Sequence, residues 1–260
     1  MRIASFNING VRARLPALLD WLGTAAPDVA LLQEIKCVDE TFPREPIEDL
    51  GYNIETHGQK GFNGVAILSK RPIEDVSRGL PGDEADEQAR WIEATIPGDS
   101  GAARVCCLYL PNGNPAPGPK YDYKLGWMRR LETRAAKLVA AEETAILAGD
   151  YNVIPQEEDA HNPEAWLDDA LYLPQTRAAW RRLLALGITD AFRALNAAPM
   201  NYTFWDYQAG AWAKNNGIRI DHLLLTPEAA DRLTACEIDR RPRGGEKPSD
   251  HTPIWADIDI

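Results

Sequence analysis

The sequence predicts a protein of the α/β class. Two continuously apolar runs, 29–34 and 144–148, are typical of strands buried on both faces. Two longer segments, 13–22 and 120–143, place apolar residues at the three- and four-residue spacing of amphipathic helices. In a chain of 260 residues with 45% hydrophobic residues and no evident linker or repeat, these elements indicate one domain with a sizeable core.

The first half of the chain supplies most of the predicted strands. Residues 1–7 are a short, mostly apolar strand that ends in the polar turn NING at 7–10. Residues 13–22 are a helix with Pro16 in its first turn, and Gly23 ends it. The buried strand at 29–34 ends in the carboxylate of Glu34. Further strands are predicted at 51–57, 64–69, 91–96 and 104–110.

The second half repeats the pattern of a strand that ends in polar residues. The long helix at 120–143 has an apolar stripe formed by Leu125, Met128, Leu131, Ala135 and Leu138. The strand at 144–148 then delivers the sequence GDYN at 149–152, and a strand at 217–225 carries Asp221. Between them lie a polar, irregular segment at 155–174, pinned by Trp166 and Leu171, and a helix at 175–186. The last strand is predicted at 254–258.

The composition limits the classes of function. A formal net charge of −11 argues against a protein that coats nucleic acid through bulk electrostatics, although an enzyme with a local basic face stays possible. No stretch is apolar enough to cross a membrane and residues 1–6 do not resemble a signal peptide, so we expect a cytoplasmic protein. The four cysteines show no metal-binding spacing, and we expect them to be buried thiols.

A short motif near the C-terminus, PSDHTP at 248–253, places an ionisable pair between two prolines. Each proline fixes its own φ and favours extended geometry in the residue before it, so Asp250 and His251 are expected in a stiff turn. One interpretation is a surface turn that leads into the last strand. The other is a catalytic segment, and the remaining polar residues decide between them.

Several polar residues share a position at strand ends or in the adjoining turns. They are Asn7, Asn9, Glu34, Asp150, Asn152, Asp221, Asp250 and His251. If those ends converge, the residues form an oxygen-rich pocket with one imidazole, which favours Mg²⁺ or Mn²⁺ and a phosphate substrate. Phosphoryl transfer fits this set, because a carboxylate or histidine can take a proton while amides steady the developing charge. A single acid at a strand end is more often a loop hydrogen-bond acceptor, so the prediction depends on the combination.

The combination resembles, in order and over nearly the whole chain, the motifs of the exonuclease III family of apurinic/apyrimidinic endonucleases. These motifs are Asn7 with NG at 9–10, LQE at 32–34, YLPNG at 109–113, GDYN at 149–152, RID at 219–221 and SDH at 249–251. The resemblance implies the four-layered α/β sandwich of the endonuclease/exonuclease/phosphatase superfamily, in which two packed mixed β-sheets are flanked by helices. We expect a single such domain over residues 1–260.

The resemblance also implies roles for individual residues. Glu34 would be the principal metal ligand, assisted by Asn7 and by Asp250, which is either a ligand or a support. Asp221 would hydrogen-bond His251 and fix its tautomer beside the scissile phosphate. The residues that would position water or phosphate are Asp150, Asn152, Asn112 and Tyr109. The sequence leaves open whether Asp150 or His251 is the base, and whether one or two metal ions act.

The implied partner is duplex DNA with abasic sites or blocked 3′ ends. Phe204, Ile218 and Ile220 match positions that line a pocket for a flipped abasic deoxyribose, although all three could instead be core residues. Arg12 is a weaker candidate for a contact with the phosphate backbone, and Lys36 is a weaker candidate for a contact with phosphate or a support of the metal site. We expect a monomer with no membrane partner, nucleoid-associated when it acts on DNA.

The predicted function is DNA repair by metal-dependent cleavage 5′ to abasic sites in duplex DNA, with 3′-to-5′ exonuclease and 3′-phosphatase activity. One alternative is a phosphodiesterase or phosphatase of the same fold that acts on a non-DNA substrate, such as a lipid, inositol or coenzyme phosphate. The other is a catalytically inactive relative that only binds nucleic acid or protein. The presence of the complete set of acids together with His251 argues against the inactive relative.

Overall fold

Two six-stranded mixed β-sheets pack face to face in the computed structural model, which describes residues 1–260. The strands are β1 (Arg2–Asn7), β2 (Val29–Gln33), β3 (Asn53–His57), β4 (Val65–Ser69), β5 (Glu74–Arg78), β6 (Trp91–Pro97), β7 (Ala102–Tyr109), β8 (Ala145–Asp150), β9 (Thr189–Asp190), β10 (Asp221–Leu225), β11 (Leu233–Ile238) and β12 (Ile254–Ile258). The helices are α1 (Leu15–Ala25), α2 (Arg44–Glu48), α3 (Pro119–Ala140), α4 (Pro174–Ala185), α5 (Ala191–Leu195) and α6 (Pro227–Ala230). The strand orders are β11-β12-β1-β2-β4-β3 and β5-β6-β7-β8-β10-β9.

Helices cover the outer face of each sheet. Trp21 of α1 packs in the apolar cluster outside the first sheet, and Leu131 of α3 and Trp180 of α4 pack outside the second. Within β8, Ile146 faces the core between the sheets and Leu147 faces the helices. Because both faces of the central strands are buried, those strands are apolar throughout. The predicted four-layered α/β sandwich is confirmed.

Strand direction brings the site residues to one edge. The neighbours β1 and β2 are parallel, with Asn7 opposite Gln33, and β7 and β8 are parallel, with Tyr109 opposite Asp150. The antiparallel strand β10 begins opposite Asp150, at Asp221. The carboxyl ends of four central strands and the start of β10 therefore meet at the same edge of the sandwich.

Three sequence predictions need correction. Helix α1 continues past Gly23, and the residue that takes the left-handed conformation after its end is Ala26, with φ 46°. The strand predicted at 217–225 begins only at Asp221, because the residues before it form isolated bridges with other loops. In α3 the buried stripe includes Lys124, whereas Leu125 is only half-buried.

Two expectations about the rest of the chain can be compared with the structure. All four cysteines are buried and free, as predicted. None of the helices combines the length and apolar character that a membrane span requires.

Candidate active site

Side chains from both sheets meet in a cleft of about 200 Å³ at the edge where the central strands end. The predicted site residues that line it are Glu34, Tyr109, Asn112, Asp150, Asn152, Phe204, Ile218, Ile220, Asp250 and His251. Asn7 and Asp221 lie behind this lining and hydrogen-bond to it. The structure thus brings together residues that lie as much as two hundred positions or more from one another in the chain, such as Asn7 and His251.

Glu34 directly follows β2 in a left-handed backbone conformation, with φ 51°. Non-glycine residues adopt this conformation at a cost, which the surrounding contacts must offset. One carboxylate oxygen accepts a hydrogen bond from Asn7 Nδ2 at 2.9 Å, and the other lies 2.8 Å from Lys36 Nζ. Burial alone would raise the pKa of Glu34, but the bonds from Lys36 and Asn7 and the charge of Lys36 hold that pKa below its usual value. Glu34 is therefore an anion at neutral pH.

Asn7 links two carboxylates that come from different sheets. Its Nδ2 donates to Glu34 Oε1 and to Asp150 Oδ2, both at 2.9 Å, while its Oδ1 accepts from the backbone N–H of Asn9 at 3.0 Å. In this orientation the amide nitrogen faces the carboxylates. A metal-ligand role for the Asn7 oxygen would require the amide to rotate and lose the bond from Asn9. The network favours Asn7 as a donor that holds Glu34 and Asp150 in place.

Asp150 ends β8 and is almost completely buried. Its Oδ1 accepts from the backbone N–H of Asn152 at 2.9 Å, and its Oδ2 lies 3.7 Å from His251 Nε2. Burial raises the pKa of Asp150 well above its ordinary value; the charges of Asp221 and Glu34 raise it further, and the charge of His251 opposes them. A carboxyl group with a raised pKa is suited to exchanging a proton near neutral pH.

Asp221 and His251 form a buried pair, with 2.8 Å between Asp221 Oδ2 and His251 Nδ1. Because an ionised carboxylate only accepts, Nδ1 carries a proton and Nε2 faces Asp150. Burial would lower the pKa of His251, but the charge of Asp221 and its hydrogen bond raise it above the ordinary value, helped by Asp150. His251 is therefore held as a cation. The second oxygen of Asp221, Oδ1, is buried without a hydrogen-bond partner.

Three further polar side chains lie at the end of β7 and on the loops after β7 and β8. Asn112 Nδ2 donates to Asn152 Oδ1 at 3.1 Å, and Asn152 Nδ2 donates to the carbonyl of Leu110 at 2.9 Å. Burial, followed by the charges of Glu34 and Asp150, raises the pKa of Tyr109 well above its ordinary value. The Tyr109 hydroxyl therefore stays protonated and can donate a hydrogen bond into the cleft.

An apolar wall closes the cleft opposite Glu34. Phe204 packs edge-on against the His251 ring, with 5.0 Å between the ring centroids. Phe204 and Ile218 exchange two backbone hydrogen bonds of 3.0 Å, which fix the wall to the start of β10. Ile218 and Ile220 are buried and also line the cleft, so the two positions that the sequence left open for them do not exclude each other.

The remaining predicted residues differ in their distance from the cleft. Asp250 Oδ1 accepts from Asn9 Nδ2 at 2.9 Å, and Asn9 Oδ1 in turn accepts from Lys36 Nζ. Asp250 is thus tied to the Glu34 side of the site through two side chains and lies outside the group formed by Glu34, Asp150 and His251. Arg12 is exposed and does not line the cleft.

An acidic cluster in the cleft could bind a metal ion. Glu34, Asp150 and His251 each offer one ligand atom, and these atoms all lie within 4.8 Å of one another. Because Asp221 keeps His251 protonated, the carboxylate oxygens of Glu34 and Asp150 are the available donors. Such donors suit a hard divalent cation.

Sequence reasoning missed some of the cleft. Trp166, Asn114 and Asp169 also line it, and Asn114 Nδ2 donates to both oxygens of Asp169 at 3.0 and 3.1 Å. They come from loops whose sequences show no periodic pattern, so only the aromatic character of Trp166 marked it in advance. A cavity of about 670 Å³ between α1 and residues 239–247 contains none of the acids or the histidine of the cleft.

The comparisons with known proteins agree with this geometry. Residues 4–251 match the Endonuclease/Exonuclease/phosphatase family. The chain is 38% identical to the exodeoxyribonuclease III of Haemophilus influenzae over 99% of this chain and 100% of that protein. Two solved structures each cover 100% of both chains: an AP endonuclease from Archaeoglobus fulgidus, with TM-score 0.94 and 38% identity, and the 3′ phosphatase NExo from Neisseria bound to a product DNA hairpin, with TM-score 0.95 and 34% identity.

Proposed function

The chain belongs to the endonuclease/exonuclease/phosphatase family, and from this premise we propose that it is a metal-dependent DNA repair nuclease. The proposed reaction is hydrolysis of the phosphodiester bond 5′ to an abasic site in duplex DNA, with additional 3′-to-5′ exonuclease and 3′-phosphatase activity. The observation that carries the proposal is the buried set of Glu34, Asp150, Asp221 and His251 at one cleft. The whole chain would act as one domain.

Mg²⁺ is the proposed cofactor, and Mn²⁺ would substitute for it. The carboxylate donors of the acidic cluster are hard oxygens, and the cluster contains no cysteine, which favours these ions over Zn²⁺. Glu34 would be the principal ligand of the ion, and Asp250 would support the site through Asn9. When bound, it would supply Lewis-acid stabilisation of the negative charge on the phosphoryl oxygens.

The protein's own groups divide the proton chemistry between them. His251 already carries its protons, so it would donate a hydrogen bond from Nε2 to a phosphate oxygen and stabilise the charge that develops there. Asp150 faces the same space with a raised pKa, so it would accept the proton of the attacking water. Asp221 would keep His251 in the required tautomer and orientation. This arrangement favours Asp150 as the base.

The neutral donors would hold the phosphate on its other side. Asn112 and Asn152 border the cleft from the loops after β7 and β8, and the Tyr109 hydroxyl borders it from the end of β7. Amide and phenol donors that are fixed before the substrate arrives cost little reorganisation during the reaction. Lys36 and Arg12, at and beyond the rim, would contact the DNA backbone.

The apolar wall supports an abasic substrate. A sugar that lacks its base can enter a small pocket bounded by Phe204, Ile218 and Ile220, whereas a normal nucleotide would have to bring its base as well. A cleft of about 200 Å³ is small for a complete nucleotide. With a net charge of −11, the chain is expected to bind undamaged DNA weakly, so most of the recognition would come from the flipped sugar.

A duplex that carries one tetrahydrofuran abasic analogue tests the proposal. With Mg²⁺ the labelled strand should be cut immediately 5′ to the analogue, and with EDTA it should stay intact. Glu34→Gln should lower the rate by about 100-fold or more, as expected when a charged stabilising group is lost. Glu142→Gln is the matched control, because Glu142 is an exposed acid that precedes β8, whereas Asp150 ends that strand. This variant should cut the duplex at the wild-type rate.

The same assay separates the alternatives. Folded protein that leaves the duplex intact with Mg²⁺, but releases phosphate from lipid, inositol or coenzyme phosphates, would replace the DNA proposal with the non-DNA phosphodiesterase. Protein that binds the duplex with Mg²⁺ and cuts none of these substrates would be the inactive binding relative.

A further inference from the structure

Lys124 lies on the inner face of α3 and has no exposed surface. A buried lysine is unusual, because its ammonium group loses the hydration that it has in water. Its Nζ donates to the backbone carbonyl of Asn152 at 2.6 Å and to that of Asn112 at 3.0 Å. The lysine therefore reaches from the helix layer to the two loops that follow β7 and β8.

These are the loops whose side-chain amides border the cleft. Asn152 is left-handed, with φ 48°, and its N–H is bonded to Asp150. Its carbonyl accepts the hydrogen bond from Lys124. The two asparagine side chains are also bonded to each other at 3.1 Å. Lys124 thus fixes both backbones from behind while the amides face the substrate side.

The space for the lysine depends on Gly113. A Cβ at this glycine would lie 2.6 Å from Lys124 Cδ and 3.3 Å from Lys124 Cβ, and the residue has φ 92°. Burial lowers the pKa of Lys124 to about 7, against the pull of Asp150 and Asp169. Two carbonyls need only two N–H donors, and both the ammonium and the neutral amine supply them. The bonding therefore does not depend on the charge of Lys124.

We infer that Lys124 is a positioning residue for the cleft, which sets the side-chain amides of Asn112 and Asn152 through hydrogen bonds to their backbone carbonyls. The positioning role is independent of the proposed function, and only the expected change in cleavage rate rests on that function. A shift of about 1 Å in a positioning group can cost about 100-fold in rate. Loss of the two bonds should therefore lower kcat and leave KM, which reflects the many DNA contacts, within about threefold.

The first test is Lys124→Met, which keeps the unbranched stem and removes the donors. Lys137→Met is the matched control, because Lys137 is exposed on the same helix. On the abasic duplex we expect a 10- to 100-fold loss of kcat for the first variant and none for the second. A kcat for Lys124→Met that equals the control would overturn the inference.

The second test is a double-mutant cycle, for which a positioning role and a purely structural role of Lys124 give different expected results. In a chain with Asn112→Ala and Asn152→Ala, adding Lys124→Met should cost less than about threefold, because the amides that it positions are already gone. The same fractional loss in both backgrounds would contradict the inference. If Lys124→Met does not fold, the cycle uses Lys124→Gln, which keeps a polar group in the buried site but is one bond shorter than lysine and should not reach both carbonyls.

A substrate-free measurement keeps this inference separate from the proposed function. The ¹H–¹⁵N signals of the Asn112 and Asn152 side-chain amides should shift in Lys124→Met and stay unchanged in Lys137→Met. Unshifted amide signals would overturn the positioning role. Wild-type protein that cuts no DNA would overturn the proposed function, and shifted amide signals would still support the role of Lys124.

Discussion

The stability of the protein should depend on pH through His222, a histidine outside the cleft. This residue of β10 is completely buried and packs against Trp180, with 4.5 Å between ring centroids. Its Nε2 lies 3.0 Å from the carbonyl of Val153, and its Nδ1 lies 2.8 Å from a guanidinium nitrogen of Arg219. The carbonyl needs a donor and the guanidinium needs an acceptor. His222 is therefore neutral, with its proton on Nε2.

Protonation of His222 would place an N–H against the N–H of Arg219 in a buried site. Burial, followed by the charge of Arg219, lowers the pKa of His222 to about 4. In the unfolded chain the pKa returns to about 6.5. Because the folded-state pKa is the lower one, the unfolded state binds the proton first, and stability falls as the pH drops from 6.5 towards 4. The linkage relation gives a loss of about 2 kcal/mol between pH 7.5 and pH 5 from this residue alone.

Urea unfolding followed by tryptophan fluorescence at pH 7.5, 6.5, 5.5 and 5.0 measures this loss. His222→Gln is the informative variant, since its amide can donate to Val153 and accept from Arg219 without titrating. Over this range its free energy of unfolding should fall by about 2 kcal/mol less than that of the wild type. His161→Gln, a change at an exposed histidine, should follow the wild type. Parallel curves for His222→Gln and the wild type would refute the assignment.

Two further predictions concern the cleft and the strand that leads to it. Asp221→Asn should lower kcat by about 100-fold or more in single-turnover cleavage, because an amide no longer fixes the His251 tautomer. Wild-type kinetics for this variant would contradict the proposed role of the Asp221–His251 pair. Gly149→Ala should lower the free energy of unfolding by about 3 kcal/mol or more, because its Cβ would lie 1.8 Å from the Leu108 carbonyl oxygen. Gly23→Ala is the control, because a Cβ at Gly23 would meet open space. Its free energy of urea unfolding should equal or exceed that of the wild type.

The central strands could be predicted from the sequence because burial on both faces leaves an unbroken apolar run. Two of the edge strands could not. β5 and β11 are end strands of their sheets, and most of their side chains are half-buried or exposed. An edge strand has little apolar pattern, so its pairing with one neighbouring strand is the only feature that identifies it as a strand. That pairing is tertiary information, so neither strand was expected.

For the cleft, the residue types and their positions at strand ends were visible in advance, but the bonds between them were not. Sequence could place Asn7 near Glu34 without showing which end of its amide faces the carboxylates. It also left Asp250 between two roles, and the bond from Asn9 now favours a support. Lys124 was hidden for a different reason, since a lysine in a helix is expected to face solvent and its two acceptors lie on distant loops.

The bond between Asn7 and Asp150 has a consequence for folding. Asn7 belongs to the first sheet and Asp150 to the second, and the two residues are 143 positions apart. This bond therefore forms only when the two sheets are packed against each other. A partly folded chain with both sheets formed but not yet docked would have the right residues and no working cleft. During refolding, the recovery of activity would therefore report the docking of the two sheets.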